Sequence, residues 1–145
     1  MTTLRYVIAD VFTDEALTGN QLAVFTDGRG VDDETMLKLA REMNFSETVF
    51  VLPPESGGHA RNRIFTPKVE LPFAGHPVLG SAFVLGAPLQ LTEIRLETEA
   101  GVFPITLERE GARIVFGWMQ QPIPNWQPFA QAEELQELLG VRSQL

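Results

Sequence analysis

The segment from Ala74 to Leu85 constrains the fold most. It reads Ala-Gly-His-Pro-Val-Leu-Gly-Ser-Ala-Phe-Val-Leu and carries no Asp, Glu, Lys or Arg. A helix that is apolar on every side belongs in an interior, because it offers water no polar face. The spacing predicts a helix over 74–85 at the centre of a domain, so the strands before and after it must wrap around it. Pro77 suits the first helical turn, where its missing N–H costs nothing.

The rest of the chain supplies such strands. Leu4 to Thr13, Gln21 to Thr26, Glu47 to Leu52, Ala60 to Phe65, Thr92 to Thr98, Val102 to Arg109 and Arg113 to Met119 read as seven strands. The first has apolar residues on both faces (Tyr6 and Ile8 on one, Val7, Ala9 and Val11 on the other), the pattern of a central strand. Thr18-Gly19-Asn20 reads as a turn. Asp32 caps a second helix, with Asp33 and Glu34 in its first turn and Met36, Leu39, Ala40 and Met43 at helical spacing, ending near Asn44. The short links Glu99-Ala100-Gly101 and Glu110-Gly111-Ala112 fit hairpins. Hairpins together with a buried helix predict an α+β fold with a curved mixed or antiparallel sheet around the helix, not a doubly wound sheet.

After Gln121 the composition changes. Pro122-Ile123-Pro124-Asn125-Trp126-Gln127-Pro128 is proline-rich and reads as a linker, and Gln131 to Leu139 as a short amphipathic helix. The expected layout is one domain over 1–121, then, over 122–145, a linker and the first helix of a missing second domain.

Composition narrows the functions. With 145 residues, 44% of them hydrophobic and ten of them Phe, the chain can bury a core. A formal charge of -8 argues against nucleic acid as a partner, since phosphate neutralisation needs clustered Lys and Arg. The chain lacks cysteine, which removes disulfides, thiolate ligands and thiol catalysis and fits a cytoplasmic location. No apolar stretch reaches the roughly 20 residues of a membrane helix, and Met1 to Tyr6 lacks the pattern of a secretory signal. His59 and His76 are the two imidazoles; without His-x-x-His or acidic-loop spacing, no metal site is expected.

Two places carry candidate chemistry. In Leu71-Pro72-Phe73-Ala74-Gly75-His76-Pro77, a histidine stands at the start of the apolar helix. A helix start presents unpaired N–H groups and a partial positive charge, and a glycine there lets a ligand come close, so Gly75 and its neighbours form a seat for a small carboxylate. In Asn44-Phe45-Ser46-Glu47-Thr48-Val49-Phe50-Val51, Glu47 opens an apolar strand. A glutamate at a strand start is usually solvated, but a carboxylate beside apolar residues is suited to exchanging protons. An acid/base group and an anion seat are the minimum for proton transfer on a small acid. The rest read more plainly: Asp10 as a buried hydrogen-bond anchor, His59 as surface, Gly19-Asn20 as a turn. Arg61 and Arg63 share a strand face and could bind an anion, although solvated surface is the commoner role.

These strings occur in a telling order. Asp10-Val11-Phe12-Thr13, Gly19-Asn20-x-Leu22-Ala23-Val24, Ala40-Arg41-Glu42-Met43-Asn44, Ser46-Glu47-Thr48-x-Phe50-Val51, Arg63-Ile64-Phe65-Thr66-Pro67, Glu70 to Pro77, and Leu79-Gly80 together resemble the N-terminal half of the PhzF-like family of phenazine-biosynthesis-type isomerases and epimerases. The resemblance implies a diaminopimelate-epimerase-like fold of two similar domains, with the site in the cleft between them. It implies proton transfer without a cofactor: Glu47 as general acid/base, His76 positioning substrate or relaying a proton, and Gly75 with Ala74, Pro77 and Asn20 around the substrate. Diaminopimelate epimerases use two cysteines, so only a glutamate-based version suits this chain. Gln21 stands where the family commonly has Pro, and Val78 where it often has Thr. Family chains are about twice this length, which implies half a site here. The expected partners are a small carboxylate substrate and either a second copy in a homodimer or a separate chain carrying the C-terminal half. The alternative expectation is a catalytically inactive half-enzyme that serves only in binding or assembly.

Overall fold

The computed structural model describes residues 3–141. Helix α2 (Gly75–Leu89) sits inside a curved sheet and touches six of its strands. The strands are β1 (Tyr6–Val11), β2 (Asn20–Phe25), β3 (Glu47–Leu52), β4 (Ala60–Phe65), β5 (Glu70–Leu71), β6 (Glu93–Thr98), β7 (Gly101–Glu110) and β8 (Arg113–Met119). Their order is β1-β2-β3-β4-β6-β7-β8, with β5 paired to β4 outside this path. The pairs β2–β3 and β4–β6 are parallel and the rest antiparallel. This is the predicted α+β class and mixed sheet around a central helix.

Each parallel pair needs a crossover, and a helix provides it. α1 (Asp33–Met43) links β2 to β3, and α2 links β4 to β6. The two helices lie on opposite faces of the sheet. Val49 and Val51 of β3 join the core under α2, whereas Phe50 between them joins Met36 and Ala40 of α1. α1 begins where the Thr35 N–H donates to Asp32 Oδ1 at 2.7 Å, and it ends at Asn44, whose φ of 54° is left-handed. Both caps follow from the sequence.

α2 runs one turn past the predicted end, through Pro88. Arg109 supports that turn: its guanidinium donates to Gly86 O (2.7 Å), Leu91 O (2.8 Å) and Ala112 O (3.0 Å). The close packing of α2 depends on Gly80, where a Cβ would lie 2.6 Å from Leu22 Cδ2 and 2.7 Å from Val11 Cγ2.

Three expectations need correction. β1 is an edge strand, not a central one, and Tyr6, Val7 and Ile8 are 48, 44 and 52% exposed. Among the described residues the sheet has eight strands, not seven, because Thr66 ties a tight turn that brings Glu70 and Leu71 back onto β4. Arg61 and Arg63 are not a free cationic face: Arg61 pairs with Glu55, and Arg63 with Asp33 and Glu70. Those two carboxylates hold the Arg63 guanidinium well above its usual range despite partial burial.

The sheet does not close. β1 and β8 flank a cleft of about 800 Å³ floored by Leu79, Gly80 and Phe83 of α2. Beyond β8, residues 122–130 form no strand or helix, and α3 (Ala132–Leu138) follows. Ile123 and Trp126 are 91 and 83% exposed.

Candidate active site

Glu47 and His76 meet, although 29 residues separate them. Glu47 opens β3 and His76 lies in the first turn of α2. His76 Nδ1 is 2.8 Å from Glu47 Oε2, and His76 Nε2 is 3.2 Å from the backbone oxygen of Asn20. Their side chains are 8 and 19% exposed, so the contact is shielded yet reachable.

A backbone carbonyl only accepts, so a bond to Asn20 O needs a proton on Nε2, and the bond to Glu47 Oε2 needs one on Nδ1 or on the carboxyl. The contact gives a proton a short path between carboxyl and imidazole. Glu47 Oε1 has no hydrogen-bond partner among the described residues, which leaves that oxygen as the acceptor or donor toward a ligand.

Asn20 is held for this task. Its side-chain Oδ1 accepts from the Ser46 hydroxyl at 2.9 Å, which ties the start of β2 to the residue before Glu47. Before it, Gly19 adopts φ 76°, and a Cβ there would stand 2.5 Å from Val11 O. No other residue fits this turn without shifting the backbone beneath the histidine.

The start of α2 is open. Ala74 is the N-cap, extended at φ -151°, with no side-chain cap. Val78 N donates to Ala74 O, and Pro77 has no N–H. The Gly75 and His76 N–H groups thus have no protein acceptor among the described residues. Uncapped N–H groups at a helix start attract an anion. A Cβ on Gly75 would come within 3.4 Å of Gln121 Nε2 and 3.5 Å of Met119 Cε, so the space beside this seat is bounded by the end of β8.

Of the sequence-selected residues, Glu47, His76, Asn20, Ala74, Gly75 and Pro77 come together here. Asp10 is half-buried rather than buried, and its Oδ2 accepts from Leu17 N at 2.9 Å. His59 is exposed and accepts from Arg95 N at 2.9 Å, away from the site. Sequence reasoning missed Phe12, whose ring lies 6.0 Å from the His76 ring, as well as Ser46 and Gln121. For Ser46 the adjacent Glu47 was the available signal; nothing in the sequence places Gln121 beside Gly75. Among the described residues no three His, Cys, Asp or Glu gather as a metal site, and no helix is long and apolar enough to cross a membrane.

Comparison with known proteins identifies the family. Residues 9–144 match the family described as phenazine biosynthesis-like protein, PhzC-PhzF. The trans-2,3-dihydro-3-hydroxyanthranilate isomerase of Pseudomonas aeruginosa is 50% identical over 138 residues, 95% of this chain and 50% of that protein. The isomerase of the same name from Pseudomonas fluorescens is 46% identical over 137 residues, 94% of this chain and 49% of that protein. The chain spans about half the length of these curated relatives. Among solved structures, a Bacillus anthracis PhzF-family phenazine biosynthesis protein superposes with a TM-score of 0.80 at 32% identity, covering 97% of this chain and 48% of that one. A hydroxyproline epimerase from Agrobacterium vitis shares the fold, with a TM-score of 0.54 at 14% identity over 66% of this chain and 36% of that one. The chain belongs to the phenazine biosynthesis-like, PhzC-PhzF, family.

Proposed function

We propose that this chain carries the acid/base half of an isomerase or epimerase that moves a proton on a small carboxylic acid without a cofactor. One observation carries the reading: a Glu47–His76 contact at 2.8 Å, beside two unpartnered N–H groups at a helix start. The substrate carboxylate sits on the Gly75 and His76 N–H groups, with Ala74 and Pro77 shaping the turn. Glu47 Oε1 takes a proton from a carbon next to an unsaturated system. That C–H bond breaks, and its electron pair enters the conjugated system. Glu47 then returns a proton to another carbon, or to the opposite face of the same one. Substrate and product have the same atoms, so no oxidant or reductant is needed. His76 acts through Glu47, holding the carboxylate, while Asn20 O fixes the ring. The partial positive charge of the α2 start stabilises the negative charge that develops.

The relatives' name supplies a substrate to try, trans-2,3-dihydro-3-hydroxyanthranilate. The open cleft between β1 and β8 favours a working unit in which a second domain, like the other half of the relatives, or another copy of this chain covers this face. The test incubates that acid in D2O with the purified chain, alone and mixed with the remaining half of the Pseudomonas aeruginosa relative. Deuterium in the product is read by mass spectrometry. Exchange should appear, and Glu47→Gln should lower it by about 10²–10⁴-fold. Undiminished exchange with Glu47→Gln overturns the assignment. The same open cleft favours a second reading, an inactive binding or assembly module. Acid that binds at Gly75 without exchange in either preparation would establish that reading instead.

A further inference from the structure

Among the described residues, four that are not glycine have left-handed backbones: Phe12, Leu17, Asn44 and Gln90. Asn44 and Gln90 are helix C-caps, where that conformation is ordinary. Phe12 is different. A bulky aromatic at φ 62° is strained, and strain of this kind persists where the surroundings over-determine it. Core packing does not account for it, because Phe12 is 69% exposed.

The loop holds Phe12 from both sides. Asp10 Oδ2 accepts from Leu17 N at 2.9 Å, Thr13 Oγ1 accepts from Glu15 N at 3.0 Å and bonds the Thr18 hydroxyl, and Gly19 packs on Val11 O. The result keeps an apolar ring in water, tilted 42° to the His76 ring at 6.0 Å. Phe12 also lines the β1/β8 cleft. It is thus the residue where the cleft meets the acid/base pair.

We infer that Phe12 is a specificity-determining residue: its ring is the platform for the flat, unsaturated part of the acid whose carboxylate sits on the Gly75 and His76 N–H groups. This rests on the proposed site and adds what that site selects. A phenyl face stacks on a planar conjugated ring and gains less from a puckered saturated one. A platform at this place also shields the Glu47–His76 contact from bulk water on one side.

The test is a nuclear magnetic resonance titration of the isotope-labelled chain with two probes of equal charge, benzoate and cyclohexanecarboxylate. The Gly75 amide and the His76 imidazole are the reporters. In the natural sequence benzoate should bind roughly three- to tenfold more tightly than its saturated counterpart. Phe12→Leu, which keeps apolar bulk without a π face, should erase that preference. Phe12→Gly should erase it too and weaken both acids, while the melting temperature stays level or rises because glycine relieves the strain. An unchanged preference in Phe12→Leu overturns the inference and leaves the carboxylate seat standing. A clear fall in the melting temperature of Phe12→Gly also overturns it, by making Phe12 a structural residue. If neither acid moves the Gly75 or His76 signals of the natural chain, the site itself is wrong and the inference falls with it.

Discussion

The two flanks of the sheet treat the same central helix differently. Along β2, β3 and β4 the sheet is sealed on both faces. Val24, Val49 and Ile64 pack beneath α2, and Phe25, Phe50 and Phe65 pack beneath α1. Along β1 and β8 the sheet is open, and Tyr6, Val7, Ile8, Phe116 and Trp118 are between 44 and 61% exposed. The residue types do not differ much between the flanks; their neighbours do. Apolar alternation specifies which residues can be covered, and only the assembled sheet decides which are. The candidate site lies between the two regimes, with Glu47 on a sealed strand and Phe12 at the end of an open one.

Large-to-small substitutions would break this comparison most directly. Phe50 stacks on Phe25 at 4.7 Å and meets Phe65 edge-on at 5.6 Å, so Phe50→Ala should cost about 3–5 kcal/mol in urea unfolding. Phe116→Ala on the open flank should change stability by no more than about 0.5 kcal/mol. Equal losses would mean that the open flank is as packed as the sealed one.

A smaller effect is expected where α2 touches both flanks. Gly80→Ala pushes a methyl into Leu22 and Val11 and should cost about 1–3 kcal/mol. Gly75→Ala meets only the tip of Gln121 and Met119, so its unfolding should stay near that of the natural chain.

The subtlest effect is a slope with pH. Burial pushes the Glu97 carboxyl up, but backbone N–H groups of Glu55, Ser56 and Gly58, each donating at 2.7 Å, outweigh it and hold the group below its usual value of 4.5. A lowered folded value means the stabilisation is present above the unfolded value and drains away as pH falls through the folded one. Unfolding of the natural chain below pH 4.5 should therefore show an acid loss that Glu97→Gln makes shallower. Parallel curves for the two proteins would remove Glu97 from the account.

Much of the fold was legible because it is written locally. The bounds of β3, β4 and β8 coincide with the strands predicted from the sequence, and α1 is bracketed by Asp32 and Asn44, whose capping chemistry acts within a few residues. The candidate site was half legible. Glu47 and Gly75-His76 stand out by residue type, but their contact is made by a parallel pairing and a crossover that no short window contains. The edge position of β1 was hidden for the same reason: its pattern resembles that of a central strand. Phe12 gave no signal, because its left-handed backbone is imposed by Asp10, Thr13 and Gly19 together.

The uncharged character of α2 has a kinetic consequence. An isolated helix of this length is marginal in water, and this one has no acidic first turn, basic last turn or side-chain N-cap to support it. It gains stability by lying against strands from both ends of the sheet. The first turn that aims His76 at Glu47 therefore depends on the assembled sheet. It also opens with the whole domain, so hydrogen-bonded amide protons from Val78 onward exchange through global unfolding rather than by local fraying, while the unpartnered Gly75 and His76 amides exchange freely.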